Sequence, residues 1–289
     1  MHRWNGSFGG IRARGLVARA AIAVAAAFAF CSGAQAGLVG LSSGSPGALF
    51  NINSATGAAS HIVNVSPGIT SFVGLEYLGG KYYGTDILPP GSGFSFGTID
   101  PTTGAFTVLN TQGGSANWHG LAGNEAAGLL YTIDIDAGNV LKSIDTAGVI
   151  TTIGPTGGAV DGRGMAYDDA NGILYATGGG SLWTVSTATG VATLVGAIGV
   201  SDGVMGLAYD ELTDTLYANE GGIGGAGTSA LYTLNVATGA ATLVGANGAL
   251  PAGTSFLDGL TWVPDAVPEP SAFGLVALGL LALRRRRAA

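Results

Sequence analysis

Apolar and polar positions alternate with period two through many short runs, the signature of half-buried strands. The clearest set is Leu49-Phe50-Asn51-Ile52-Asn53, Leu141-Lys142-Ser143-Ile144-Asp145, Leu182-Trp183-Thr184-Val185-Ser186 and Leu231-Tyr232-Thr233-Leu234-Asn235. A turn follows each, at Thr56-Gly57, Ala147-Gly148, Thr189-Gly190 and Thr238-Gly239, and Thr103-Gly104 adds a fifth. The five turn glycines lie 42 to 49 residues apart, which is close to the period of a four-stranded propeller blade. Asn53, Asp100, Asp145, Ser186 and Asn235 stand where a side chain accepts from the backbone two residues on, and the glycine supplies the left-handed conformation that closes the hairpin. Further strands come after the turns, as in Ala192-Thr193-Leu194-Val195 and Ala241-Thr242-Leu243-Val244, and before the central pair, with aligned tyrosines at Tyr83, Tyr131, Tyr175 and Tyr217.

A glycine opens another strand of each unit: Gly74-Leu75-Glu76-Tyr77, Gly120-Leu121-Ala122-Gly123, Gly164-Met165-Ala166-Tyr167 and Gly206-Leu207-Ala208-Tyr209. Glycine suits the crowded inner end of a blade. A fifth copy, Gly259-Leu260-Thr261-Trp262, stands alone at the end of the repeats, while the unit that begins at Gly37 lacks this strand. Matching deficits at the two ends predict a closed ring, because an open solenoid would carry capping repeats. The expectation is an all-β, five-bladed propeller closed by pairing its C-terminal strand with the first blade. The 52 glycines, the low charge and the lack of helical periodicity outside the two ends agree.

The ends carry different information. Arg12, Arg14 and Arg19 precede an apolar run, Ala20 to Phe30, and Ala34-Gln35-Ala36 forms a small-x-small cleavage site before Gly37. This describes a secretory signal helix over residues 1–36 and a mature chain that starts at Gly37. Cys31 falls before the cut, so the mature protein has no cysteine, disulfide or thiol nucleophile. At the other end, residues 265–289 contain Pro268-Glu269-Pro270, an apolar segment from Ser271 to Leu283 and the cluster Arg284 to Arg287. A helix of 13 residues reaches only about 20 Å, short of the ~30 Å hydrocarbon core. The arginines stay cytoplasmic by the positive-inside bias, which leaves the repeats on the far side of the membrane.

This tail resembles the PEP-CTERM sorting signal of Gram-negative bacteria. The resemblance implies export through the Sec translocon, a transient stay of the short hydrophobic helix in the inner membrane, and cleavage at Pro-Glu-Pro by an exosortase-type membrane protease. It also implies a destination at the cell surface or in an extracellular matrix rich in exopolysaccharide. The same tail is labelled in places as the C-terminal domain of ice-binding proteins, but ice binding requires a flat threonine array that these turn-bound threonines do not make. The resemblance covers only the tail and leaves the ligand of the repeat domain, residues 37–264, unnamed.

Without its two ends the chain is strongly acidic. Only Lys81, Lys142 and Arg163 are basic between residues 37 and 264, against sixteen acidic residues, a formal balance of −13. Such a surface repels nucleic-acid phosphates and anionic lipid.

Blade topology locates the candidate chemistry. Loops entering the inner strands share a face with loops leaving the second strands. The residues just ahead of the inner-strand glycines are Val73, His119, Arg163, Met205 and Asp258, and the second set of loops brings Asp86, Asp134, Asp136, Asn219 and Glu220. His119, Arg163 and Asp258 should ring one channel mouth, with Glu220 further out and Trp118 offering a platform for a sugar ring. An ion pair between Arg163 and Asp258 is the structural alternative. Asp134 and Asp136 alternate like the start of a calcium loop, although the twelfth position holds Asp145 in place of a bidentate glutamate. Calcium is therefore the one cofactor the pattern admits, and no other is expected. Only His61 and His119 remain in the mature chain, and there is no nucleophile elbow, phosphate-cradling loop or paired-histidine zinc motif. The expected function is non-enzymatic, a surface or matrix propeller that binds polysaccharide or another protein. The alternative is a polysaccharide-acting lyase or hydrolase that uses the His119 face.

Overall fold

The computed structural model describes residues 37–264, apart from 45, 67–70, 88–92, 114–116, 159, 201–202, 222–228 and 252–253. The signal helix with Ala36, and the tail with Pro268, Glu269, Pro270 and Arg284, lie outside the described residues. Among the described residues the regular structure is entirely strand, in five four-stranded antiparallel sheets. Blade 1 joins β20 (Thr254–Val263) to β1 (Gly37–Gly44), β2 (Ala48–Ile52) and β3 (Ala59–Asn64). Blade 2 is β4 (Phe72–Leu78), β5 (Lys81–Ile87), β6 (Phe94–Ile99) and β7 (Phe106–Gln112). Blade 3 is β8 (Trp118–Asn124), β9 (Leu129–Asp134), β10 (Val140–Asp145) and β11 (Ile150–Pro155). Blade 4 is β12 (Met165–Asp168), β13 (Ile173–Gly178), β14 (Ser181–Val185) and β15 (Ala192–Ala197). Blade 5 is β16 (Val204–Asp210), β17 (Thr215–Glu220), β18 (Ala230–Leu234) and β19 (Ala241–Ala246).

The last strand completes the first blade, as the matching deficits predict. Gly37 pairs with Val263 and Leu41 with Gly259, and β20 also packs against β4 and β16, so the ring has no open end. Apolar side chains fill the seams between blades. Ile133 and Leu141 of blade 3 meet Met165, Leu174 and Ala176 of blade 4, each at most 1% exposed. Burial of this kind stabilises by about 2 kcal/mol per large side chain. The aligned tyrosines belong to the same seams. Tyr131 packs on Tyr167, Tyr175 on Tyr209 and Tyr217 on Trp262, with ring centroids 5.8 to 6.0 Å apart. Blade 3 has Gly123 where these partners stand, and Tyr83 stacks on Phe96 of its own blade.

Both glycine repeats mark places where one blade touches the next. A Cβ on Gly259 would come within 2.7 Å of Leu75 Cβ, and one on Gly206 within 2.8 Å of Leu260 Cβ, so the inner glycines permit the close approach at the axis. At the rim, a Cβ on Gly190 would lie 2.3 Å from the carbonyl oxygen of Gly154 in the preceding blade, and Gly57 and Gly239 meet Gly245 and Gly196 in the same way. The turns close as the sequence predicts at four sites, where Asn53, Asp100, Asp145 and Asn235 accept from the amide two residues on. Ser186 departs from this, and its shorter side chain accepts from Thr189 instead.

Hairpins joining first to second strands lie on one face together with the Thr-Gly turns; the chain enters the ring at Gly37 and leaves it at Pro264 on that same face. The opposite face gathers the loops that enter the inner strands and those that leave the second strands, and it is called the mouth face below.

Candidate functional site

Irregular pairing builds the mouth. In blade 2, Phe72 pairs with Asp86 and Gly74 with Thr85, which leaves Val73 as an extra residue. Met205 is skipped in the same way between Val204 and Gly206, and Asp258 between Leu257 and Gly259. The register of β8 breaks directly after His119, at Gly120 with its positive φ of 59°, and Arg163 lies in the loop just ahead of β12. A bulge frees a side chain from the ladder and re-aims it. Each blade thus has one residue just ahead of its inner-strand glycine: Val73, His119, Arg163, Met205 and Asp258, of which His119 stays paired with Ile133.

Neighbouring second strands clamp these bulges. Thr177 Oγ1 accepts from Gly164 N at 2.9 Å and donates to Val204 O of the next blade. Asn219 Nδ2 donates to Ser229 Oγ at 2.7 Å and reaches Leu257 O of blade 1 at 3.3 Å. Asn219 is therefore a clip between blades.

His119, Arg163 and Asp258 do converge, with chemistry that differs from the simple expectation. Arg163 Nε donates to Asp161 Oδ2 at 2.9 Å, so the ion pair forms within the loop and not with Asp258, the partner in the structural alternative. Its Nη1 lies 3.8 Å from Met205 Sδ. His119 Nε2 sits 2.8 Å from Asn117 Oδ1. Burial, reinforced by the charge of Arg163, pushes the imidazole pKa down to about 4, so the ring is neutral at ordinary pH. Asp258 is 4% exposed, and its Oδ1 has no hydrogen-bond partner among the described residues. Burial raises its pKa to about 7, against the lowering effects of the Ser43 hydroxyl and of Arg163. Asp86, 2% exposed, accepts from Ser71 N at 3.1 Å, and burial lifts its pKa to about 6.

Other candidates turn out to be structural. Trp118 offers no face to a sugar: it is 2% exposed, stacks on Phe94 at 4.2 Å, and carries Lys142 Nζ 5.1 Å from its ring centroid. Its place beside His119 made it a candidate platform, but strand alternation turns the indole into the seam between blades 2 and 3. Glu220 is 8% exposed and accepts from Tyr232 Oη at 2.8 Å within blade 5. Asp134 pairs with Lys142 at 3.3 Å and accepts from Ala137 N, whereas Asp136 is exposed. Among the described residues no group of three or more His, Cys, Asp and Glu side chains gathers to hold a metal ion.

One half-buried acid has no counterpart in the sequence reading. Glu76 takes a position held elsewhere by Ala122, Ala166, Ala208 and Thr261. Its Oε1 accepts from Thr261 Oγ1 of the closing strand at 2.9 Å, and burial pushes its pKa up to about 8. A lone carboxylate between Leu75 and Tyr77, where every aligned copy has a small residue, was the available signal.

Comparisons with known proteins divide along the chain. Residues 266–288 match the PEP-CTERM protein-sorting motif. The motif marks the chain for export and surface sorting, with processing by an exosortase on the way. No curated protein matches the chain. Among solved structures it is similar to a chain in the crystal structure of a nidogen/laminin complex, at 14% identity and a TM-score of 0.53, covering 78% of this chain and 98% of that one. A Bacteroides thetaiotaomicron protein of unknown function gives the same TM-score and identity, covering 81% of this chain and 66% of its own. Likeness at this level speaks for the fold alone. The chain is a five-bladed β-propeller followed by a PEP-CTERM sorting motif.

Proposed function

We propose that the ring is a non-enzymatic binding module of the cell surface or its polysaccharide matrix, and that its ligand docks at the axis on the mouth face. The observation that carries this reading is that His119 and Asp258 both lie within electrostatic reach of Arg163, in a set of five residues that take the same place in their blades. Loop lengths point to the same face. Of the loops leaving second strands, blade 4 has residues 179–180 and blade 3 residues 135–139, while the first hairpins of blades 3, 4 and 5 are all four residues long. Uneven loops on a regular scaffold are where binding specificity usually resides.

A polysaccharide-acting enzyme is the second reading, favoured by a neutral imidazole and a buried carboxyl that both lie within electrostatic reach of Arg163. His119 is only 8% exposed, and its Nε2 is engaged by Asn117, which suits a fixed binding wall better than a mobile base. Binding of the exported protein to a glycan array, or capture of its partner from surface fractions, tests the proposal. The double variant His119→Ala with Arg163→Ala should lose that binding; unchanged binding rules out the mouth. Turnover of purified matrix polymers, with or without added calcium, would favour the enzyme. Intact mass from native surface fractions, starting at Gly37 and ending near Pro268, checks both processing steps.

A further inference from the structure

We infer that Arg163 anchors a carboxylate of the ligand, and hence that the mouth selects an acidic saccharide, one bearing uronic acid residues, over a neutral one. The inference rests on the proposal that the mouth is a binding site and names the chemistry it selects.

Three cations serve a repeat domain with sixteen acids, and each has a distinct setting. Lys81 is exposed at the start of β5, on the hairpin face. Lys142 is engaged by Asp134 and by the Trp118 ring. Arg163 alone stands at the axis, with its side chain 38% exposed. Asp161 takes only its Nε, which fixes the plane of the guanidinium. The terminal end of the fork meets the Met205 thioether, a weak acceptor. No other carboxylate among the described residues lies within ion-pair distance of Arg163. A planar, part-exposed fork held by its Nε is the geometry that receives a carboxylate through two parallel hydrogen bonds. Val73, half-buried, adds apolar surface suited to the C–H face of a sugar. The neutral His119 adds no second positive charge.

The surrounding acids make the site sensitive to pH. Arg163 lies within electrostatic reach of Asp258 on β20 and of His119 on β8, and His119 also senses Asp161 and Asp136. When Asp258 loses its proton it competes with a ligand carboxylate for the same guanidinium. Acidic ligand should therefore bind more tightly below neutrality than above it. Asp258→Asn, which imitates the protonated acid, should remove that dependence.

The test is calorimetric titration of the exported protein with an oligogalacturonate and with a neutral oligosaccharide of equal length, at pH 5.5 and pH 8. The wild type should prefer the oligouronate at pH 5.5 by roughly ten- to a hundredfold, the usual worth of a charge-assisted contact. The preference should shrink at pH 8 and collapse in Arg163→Gln, with thermal unfolding used to confirm that this variant is folded. Asp258→Asn should keep the preference at both pH values. If the neutral saccharide binds equally well, and His119→Ala weakens it, the mouth stands and the carboxylate anchor is overturned. Preference for an acidic peptide over the oligouronate overturns the saccharide assignment. Binding of neither saccharide counts against both proposals.

Discussion

The two faces of the ring are built from the same strands yet obey different constraints. On the hairpin face every element is tied to a neighbour. Glu125 accepts from Gly79 N with both oxygens, Asp169 accepts from Glu125 N at 3.0 Å, and Glu211 accepts from Asp169 N, so each acid braces the hairpin of the blade before it. The Thr-Gly turns press on the rim of the preceding blade, where Ala59, Ala192 and Ala241 donate to Asn247, Thr156 and Ile198. On the mouth face the aligned positions are uniform in place and varied in chemistry: valine, histidine, arginine, methionine and aspartate. Repetition holds the ring together, and departures from repetition carry the candidate site.

A matched pair of glycines gives the sharpest way to break this comparison. Gly190 and Gly138 share a φ of +84°, one in a Thr-Gly turn and one in a mouth loop. Alanine at either position incurs about 1 kcal/mol for the left-handed backbone. At Gly138 nothing lies within 4 Å of the added carbon, whereas at Gly190 it meets the Gly154 carbonyl oxygen at 2.3 Å. Gly190→Ala should therefore cost about 3 kcal/mol or more and Gly138→Ala only about 1 kcal/mol, read from denaturant midpoints. Equal costs would mean that the turns do not clamp the rim.

The rigid half of the molecule was the legible half. Periodic Thr-Gly turns, inner-strand glycines and the orphan strand at Gly259 set out blade number and closure, because each is a backbone requirement that only a few residue types meet. The mouth was legible in outline, since position relative to the glycine picks out His119, Arg163 and Asp258. Side-chain direction was not. Trp118 sits one residue before His119, and period-two alternation turns it into the seam while His119, still paired with Ile133, takes the other side of the sheet. Arg163 chose Asp161, two residues away, over the more distant Asp258, because a contact within one loop needs no agreement between blades.

The half-buried acid at the closure seam gives the next largest effect. Glu76 holds in the folded ring, up to a pKa of about 8, a proton that the unfolded chain releases near 4.5. The native state thus binds more protons between these values, and stability falls as pH rises through that window. His119 acts in the opposite sense at lower pH. Its pKa of about 4 against an ordinary 6.5 means that the unfolded chain takes up the extra proton, so its contribution is present above 6.5 and lost as pH falls toward 4. Glu76→Gln should raise the melting temperature at pH 8 and flatten the decline between pH 5 and 8. An unchanged slope would place the ionisation elsewhere.

The brace on the hairpin face predicts a smaller loss. Asp169→Ala removes the acceptor for Glu125 N, an exposed charge-assisted contact worth about 1 kcal/mol. The loss should be partly masked at high salt, where screening weakens such contacts. A loss well above this would show that the three acids act as one cooperative ring, which the double variant Asp169→Ala with Glu211→Ala separates by its departure from additivity.

Asp136 gives the smallest expected effect and completes the comparison. It is exposed on the mouth face and carries no clamp between blades, so Asp136→Asn should leave stability within about 0.5 kcal/mol of the parent. Its charge nevertheless reaches His119, which sits beside the axial arginine. Removing that charge lowers the imidazole pKa a little further and strips one repulsive carboxylate from the approach to Arg163. An acidic ligand should then bind slightly faster at low salt, and the gain should vanish as ionic strength rises. A residue that leaves folding untouched and shifts only the salt dependence of association is what a face free of structural duty should supply. Destabilisation by this substitution would instead put the mouth loops under the same constraint as the hairpins.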